Sequence, residues 1–416
     1  MSKYGRGCIK LNIGEYTAEK IADFTVPQNG NRLQDGAGTI PKACYTQSMI
    51  RGYATDDGTA QYKNRFPQLK DSFRIATAEG LWLSAIGLGT YLGEPDEAAD
   101  SDYIDAITAA LQSGINVLDT AINYRHQRSE RNIGVALAKL LETGQLTREE
   151  VFIATKAGYL SFDGNMPADP REYFMREYVE TGVLDPDQIA GGTHCMSPKY
   201  LENQIARSRR NLGVDTIDLF YVHNPESQLE EIARDVFRER LERAFEMLEQ
   251  QVEERKIRFY GVATWNGFRV PPSATEYLDL FEMSEFARKV GGDQHHFRFI
   301  QLPFNLAMTE AYFVANQETG EIKVPVIHAA NRLGIAVVTS ATLFQGRLAH
   351  GLPAHLARKM KTRNDAETAI QFSRSTPGLT TSLVGMGHRE HVLANLNAAA
   401  DSQVPEKVWH ELFAPE

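Results

Sequence analysis

The chain has 416 residues, of which 42% are apolar and 24% charged, and a net charge of −10. This is the composition of a globular protein with a large core, and the charge argues against a nucleic-acid or anionic-membrane surface. No stretch approaches the roughly 18 apolar residues of a membrane helix, and the first residues lack the apolar centre of a secretory signal. Cys8, Cys44 and Cys195 cannot all pair and fit a reducing cytoplasm better than a disulfide framework. Without a CxxC pair no metal is expected, although Cys195 beside His194 leaves a reactive thiol or zinc ligand open.

Residues 1–75 read as an extension, because turn-forming residues (VPQNGNRLQDGAGTIPK) break it into short pieces. Its aromatics, among them Tyr4, Tyr16, Tyr53 and Tyr62, predict an ordered arm lying on the body of the protein or on a neighbouring subunit. From Phe73, FRIATAEGLWLSAIGLGT predicts a hairpin that closes a barrel floor and then a strand at 85–89. Strands follow at 116–121, 151–156, 217–223, 259–264, 297–304, 336–342 and 382–386. Helices are expected at 102–113, 130–142, 198–212, 239–256 and 390–399. This alternation predicts βα units and a parallel sheet. Long insertions interrupt it at 159–194 and 267–296. The aromatics of the first, Tyr159, Phe162, Tyr173, Phe174 and Tyr178, either line a pocket or anchor the insertion. Residues 350–368 are basic for this chain and follow the seventh strand, where such barrels often bind phosphate. The barrel occupies 76–402 and a tail 403–416.

Three apolar strands end in polar residues: Asp119 with Tyr124 five residues on, Lys156, and His223. In a parallel α/β barrel those ends share the face on which active sites lie. A phenol with an ordinary pKa of about 10 is a poor acid at neutral pH, and a neighbouring lysine favours its ionised form. Lys156 is therefore expected to acidify Tyr124, with Asp119 orienting Lys156 and His223 donating to an oxygen that gains charge. Taken singly, each has a duller reading: Lys156 and Asp119 a buried ion pair, His223 a satisfied structural histidine. Four such residues at successive strand ends point to chemistry.

The motifs IGLGT (86–90), GINVLDTAINY (114–124), SERNIG (129–134), FIATKAG (152–158), LGVDTIDLFYVHNPE (212–226), RFYGVATWN (258–266), FIQLPFN (299–305) and GHREHVLANL (387–396) stand in family order. On them the chain resembles the aldo-keto reductases over about residues 74–402. The resemblance implies a (β/α)8 TIM barrel, to which this chain adds its N-terminal extension and the long loop insertions on the catalytic face. It implies hydride transfer between NADP(H), or less favoured NAD(H), and a carbonyl or alcohol. Tyr124 becomes the general acid, Lys156 and Asp119 its tuning pair, and His223 the carbonyl-orienting donor. The cofactor would meet Thr264, Asn266 and Gln301 at its carboxamide, and Ser340, Leu343 and Gln345 after the seventh strand. Gly385, Arg389, His391 and Asn395 would meet it around the eighth helix, with Arg389 the one constant charge for a 2′-phosphate.

Two departures stand out. The usual Ser-Asn pair reads Ala263-Thr264, and Ser340 stands where the family usually has a tyrosine that stacks on the nicotinamide. Trp265 or Phe344 would have to supply that ring, Phe344 being equally well a core residue. The expected partner is a small carbonyl or alcohol, with self-association through the extension possible. The rival is a cofactor-binding, redox-sensing regulatory protein with little turnover. A metal-dependent hydrolase is disfavoured, since His223 lacks metal-ligating partners at other strand ends.

Overall fold

The computed structural model describes residues 49–76, 80–320 and 322–413. Strands β1 (Phe73–Ala76) and β2 (Leu81–Ser84) form an antiparallel hairpin. Then come β3 (Ile86–Gly89), β4 (Val117–Asp119), β5 (Phe152–Ala157), β6 (Ile217–His223), β7 (Ile257–Ala263) and β8 (Phe297–Pro303). After a second hairpin, β9 (Gln317–Thr319) and β10 (Ile322–Val324), come β11 (Ala336–Ser340) and β12 (Thr381–Gly385). Strands β3 to β8, β11 and β12 close a parallel barrel in the order β11-β12-β3-β4-β5-β6-β7-β8, so the expected (β/α)8 architecture is present. The interior is filled by Val117, Phe152, Leu219, Tyr221, Phe259, Phe299, Val338 and Leu383. Leu81 and Leu83 of the hairpin belong to the same cluster, which makes the hairpin the floor of the barrel. Strands buried on both faces read as continuous apolar runs, as in IDLFYVH. A larger apolar cluster lies between strands and helices.

Helix boundaries follow their caps more than their apolar period. The helix expected at 102–113 spans Glu97–Gln112, because Asp96 accepts from the Ala99 amide and Glu97 and Asp100 put acid in the first turn. Helix Pro198–Leu212 matches its expected limits, opening on a proline and closing at Gly213, whose φ of 68° is left-handed. The helix expected at 239–256 is Arg234–Glu253. The insertion at 267–296 contains the helix Leu280–Gly291, capped by Asp279. Helices Val326–Arg332 and Asp365–Arg374 were not foreseen. Within 403–416, the helix Glu406–Glu411 buries Trp409 against Phe313 and Phe372.

The expectations for residues 1–48 lie outside the described residues. Residues 49–76 clasp the barrel from below. Ile50 bridges Val214, Thr55 caps the helix Asp56–Asn64, and the Tyr62 hydroxyl donates to the Leu111 and Ile115 carbonyls. Asp218, fully buried in β6, accepts the Ala54 amide at 2.7 Å on one oxygen; the other takes the Ile153 amide at 2.8 Å and Arg148 Nη2 at 2.6 Å. Asp218→Ala should therefore lower unfolding stability by about 3 to 5 kcal/mol, because it strands the buried Arg148 guanidinium. A urea midpoint corresponding to a loss below about 1 kcal/mol would mean that Arg148 finds other partners.

Candidate active site

The strand ends converge as the sequence predicts. Lys156 Nζ, fully buried, lies 2.5 Å from Asp119 Oδ1, 2.8 Å from the Thr120 carbonyl and 3.4 Å from the Tyr124 hydroxyl. The Tyr124 ring meets the edges of His223 and Tyr91, at 5.9 and 5.0 Å between centroids. Asp119 Oδ2 accepts Gln301 Nε2 at 2.7 Å. His223 Nδ1 is buried without a partner.

Local structure fixes these positions. Beyond β4 the chain stays hooked to β5 through the Thr120 and Ile122 amides, then turns so that the Tyr124 amide donates to Ala121. The next three residues, Arg125, His126 and Gln127, all have positive φ, at 48°, 54° and 72°, a costly conformation for non-glycine residues that must be held from outside. Arg125 donates to Glu94, Asp96 and Asp100, Arg128 reaches the other oxygen of Asp100, and Gln127 donates to the Phe162 carbonyl. On the far side, His194 Nε2 sits 2.7 Å from the His223 carbonyl and Nδ1 3.1 Å from Gln228 Nε2. Burial pushes His194 down to about 4, so the imidazole is neutral, with its proton on Nε2 facing the carbonyl. Gly158 is required beneath it, since a Cβ there would collide with both the His223 carbonyl and the His194 ring.

The electrostatics correct one expectation. Tyr124 is raised well above its ordinary value, chiefly by burial and then by the charge of Asp119, the opposite of the net acidification expected from Lys156. Burial likewise lowers Lys156 and raises Asp119, each opposed by the other's charge. His223 is held well below the usual range by burial and by Lys156, and is a neutral imidazole. The cluster thus presents a protonated phenol, a neutral imidazole and a close lysine–aspartate pair.

The residues expected to hold a cofactor are distributed differently. The Thr264 hydroxyl donates to Glu226 Oε1 at 2.5 Å, and the Asn266 side-chain amide turns to Glu276 at 3.1 Å. Gln301 belongs to the Asp119 network. Ser340 ends β11, and Leu343 and Gln345 lie in the loop beyond it. Ala341, Phe344, Gln345 and Gly346 there have positive φ, between 47° and 84°. The Gln345 and Gly346 amides take no partner among the described residues. Gly385 ends β12, Arg389 and His391 are exposed on the first turn of helix Arg389–Ala400, and Asn395 is buried on it. Phe344 is only 7% exposed whereas Trp265 is 40% exposed, so Trp265 is the ring that faces outward.

Sequence reading missed Glu226. This buried carboxylate accepts Thr264 Oγ1 and the Trp265 and Asn266 amides on one oxygen, while the other has no partner. Its signal was an acid directly after His223-Asn224-Pro225. The insertion aromatics divide between the two readings left open for them. Tyr159 lies against His223 and His194 at 5.4 and 5.3 Å. Phe162, Tyr173, Phe174 and Tyr178 pack mainly on one another and on Tyr200, anchoring the insertion.

Residues 85–280 match the family model described as Aldo/keto reductase family. The chain is 32% identical over 146 residues to the NADH-specific methylglyoxal reductase of Escherichia coli (strain K12), covering 34% of this chain and 38% of that protein. It is 29% identical over 191 residues to the D-threo-aldose 1-dehydrogenase of Pseudomonas sp, covering 45% and 52%. These matches span about half or less of those relatives. Among solved structures, the holo form of an aldo-keto reductase from Bacillus halodurans superposes with a TM-score of 0.56 at 19% identity, over 83% of this chain and 96% of that one. An aldo-keto reductase from Klebsiella pneumoniae in complex with NADPH gives 0.55 at 19% identity, over 83% and 96%. At that identity the likeness concerns the fold alone.

Proposed function

We propose that the chain, whose residues 85–280 match the Aldo/keto reductase family model, is an oxidoreductase exchanging hydride between a nicotinamide dinucleotide and a small carbonyl compound or its alcohol. The observation that carries this reading is the hydrogen-bonded line from Asp119 through Lys156 to Tyr124, with His223 beside it. A bound dinucleotide would supply the hydride. The neutral imidazole of His223 donates a hydrogen bond to the carbonyl oxygen. The Tyr124 proton moves to that oxygen as it gains charge, and the phenolate left behind faces Lys156 Nζ. The lysine thus acts mainly on the product of proton transfer. That is differential stabilisation, which speeds a step more than ground-state acidification would.

The residues present fit a dinucleotide unevenly. At the phosphate end, the left-handed run after β11 and the start of helix Arg389–Ala400 offer backbone donors. By the family resemblance Arg389 and Asn395 would meet a 2′-phosphate and adenine, which favours NADP(H) with NAD(H) possible. At the carboxamide end, Thr264, Asn266 and Gln301 are already engaged. That engagement, with Ser340 in place of a ring, favours the second reading, a dinucleotide-binding sensor with little turnover.

Titration of the purified protein with NADPH and, separately, NADH, followed by tryptophan fluorescence, should show dissociation constants on the order of micromolar, NADPH the tighter. Failure to bind either would overturn the oxidoreductase reading. Tight binding with no turnover across a carbonyl panel would favour the sensor.

A further inference from the structure

We propose that Gln301 is a positioning residue of the acid–base cluster, holding Asp119 and through it Lys156 against Tyr124. The proposal rests on the oxidoreductase reading above. Strands β4 and β8 stand four apart in the closed ring, so the 2.7 Å bond from Gln301 Nε2 to Asp119 Oδ2 crosses the mouth of the barrel. Asp119 is thereby gripped from both sides, Oδ1 by Lys156 at 2.5 Å and Oδ2 by Gln301. Both residues are nearly inaccessible, at 4% and 5% exposure, so water is a poor substitute for the amide. Without it, a buried carboxylate oxygen would have no donor, and the carboxylate could rotate away from the lysine.

What surrounds Asp119 sharpens the point. Lys156 faces it from β5 and Tyr124 from the turn after β4, while Tyr221 acts on it from β6. The Tyr221 hydroxyl is buried and also bears on Gln301, and its ring occupies room left by Gly261, where a Cβ would press on it. His223 and, from helix Arg128–Glu142, Glu130 bear on Lys156. Of these, only Lys156 carries positive charge. Gln301 is the second group whose hydrogen bond favours the ionised form of Asp119.

The test is Gln301→Leu, which keeps the volume and removes the donor, with Gln301→Met as a second variant should the first fold poorly. The variant is expected to reduce kcat about 10- to 100-fold, the range for losing a hydrogen bond to a charged group. The NADPH dissociation constant should stay within about twofold. The acidic limb of the kcat profile should move to higher pH, because Asp119 then protonates earlier. A readout without cofactor keeps the proposal testable if the protein turns nothing over. Wild type and variant should differ in thermal midpoint at neutral pH and converge as pH falls and Asp119 protonates in both. A large rise in the dissociation constant with kcat and its acidic limb unchanged would make Gln301 the carboxamide clasp and overturn the proposal. A midpoint difference that is absent or independent of pH would also overturn it. A wild type that binds no dinucleotide would sink the oxidoreductase reading and leave the midpoint test of Gln301 in force.

Discussion

Tyr124→Phe is expected to lower kcat for carbonyl reduction by about 10² to 10⁴-fold, the usual worth of a positioned proton donor, while the NADPH dissociation constant stays within about twofold. The reasoning is local. The Tyr124 hydroxyl has one hydrogen-bond partner among the described residues, Lys156 Nζ at 3.4 Å, and the ring keeps its edge contacts with Tyr91 and His223 when the oxygen is removed. Lys156 retains Asp119 and the Thr120 carbonyl, so the variant should fold. Residual turnover would come from a proton delivered by water, with His223 still polarising the carbonyl. Steady-state kinetics on an aldehyde panel, with the thermal midpoint as a folding control, decides it. Undiminished turnover would remove Tyr124 from the proposed mechanism and shift attention to His126, the other titratable side chain in the strained turn beside it.

Much of the fold was legible because barrel strands are short, apolar and regularly spaced. Strand 217–223 and helix 198–212 were readable to the residue, since the helix opens on Pro198 and closes at Gly213 and the strand stops at His223 before Asn224-Pro225. What was lost lay where tertiary packing outweighs local signal. Helix Leu280–Gly291 hides inside an insertion whose flanking PPSATEY reads as loop, although Asp279 is a good cap. Asp119, Lys156 and His223 were legible because parallel strands carry their last side chains to one face, and Tyr124 through its spacing from Asp119. The cofactor residues were not, because partner choice is a three-dimensional matter. Thr264 and Gln301 keep the residue types that would suit a carboxamide, yet the first is claimed by Glu226 and the second by Asp119. The direction of the Tyr124 shift was misjudged for a related reason: the sequence names the neighbouring lysine but not the depth of burial, and burial dominates.

That shift leads to a prediction about direction. With saturating cofactor, carbonyl reduction should be nearly flat between about pH 6 and 9, whereas alcohol oxidation should climb by up to about tenfold per unit over the same range. Reduction draws on protonated Tyr124. A phenol raised well above 10 is fully protonated throughout, so no titration limits it. Oxidation needs the phenolate as base, and its fraction rises tenfold per pH unit below the phenol's pKa. His223 should add no break near 6.5, because burial and Lys156 keep the imidazole neutral across the range. Initial rates in both directions at matched saturation test this. A break near neutral pH in the oxidation profile, with a plateau above it, would show that the occupied site lowers Tyr124 far below its value in the free protein. Lys156 would then be acting on the ground-state phenol. An oxidation profile that rises without a plateau would place the lysine's contribution in the proton-transfer step, and would make the protein a better reductase than dehydrogenase at neutral pH.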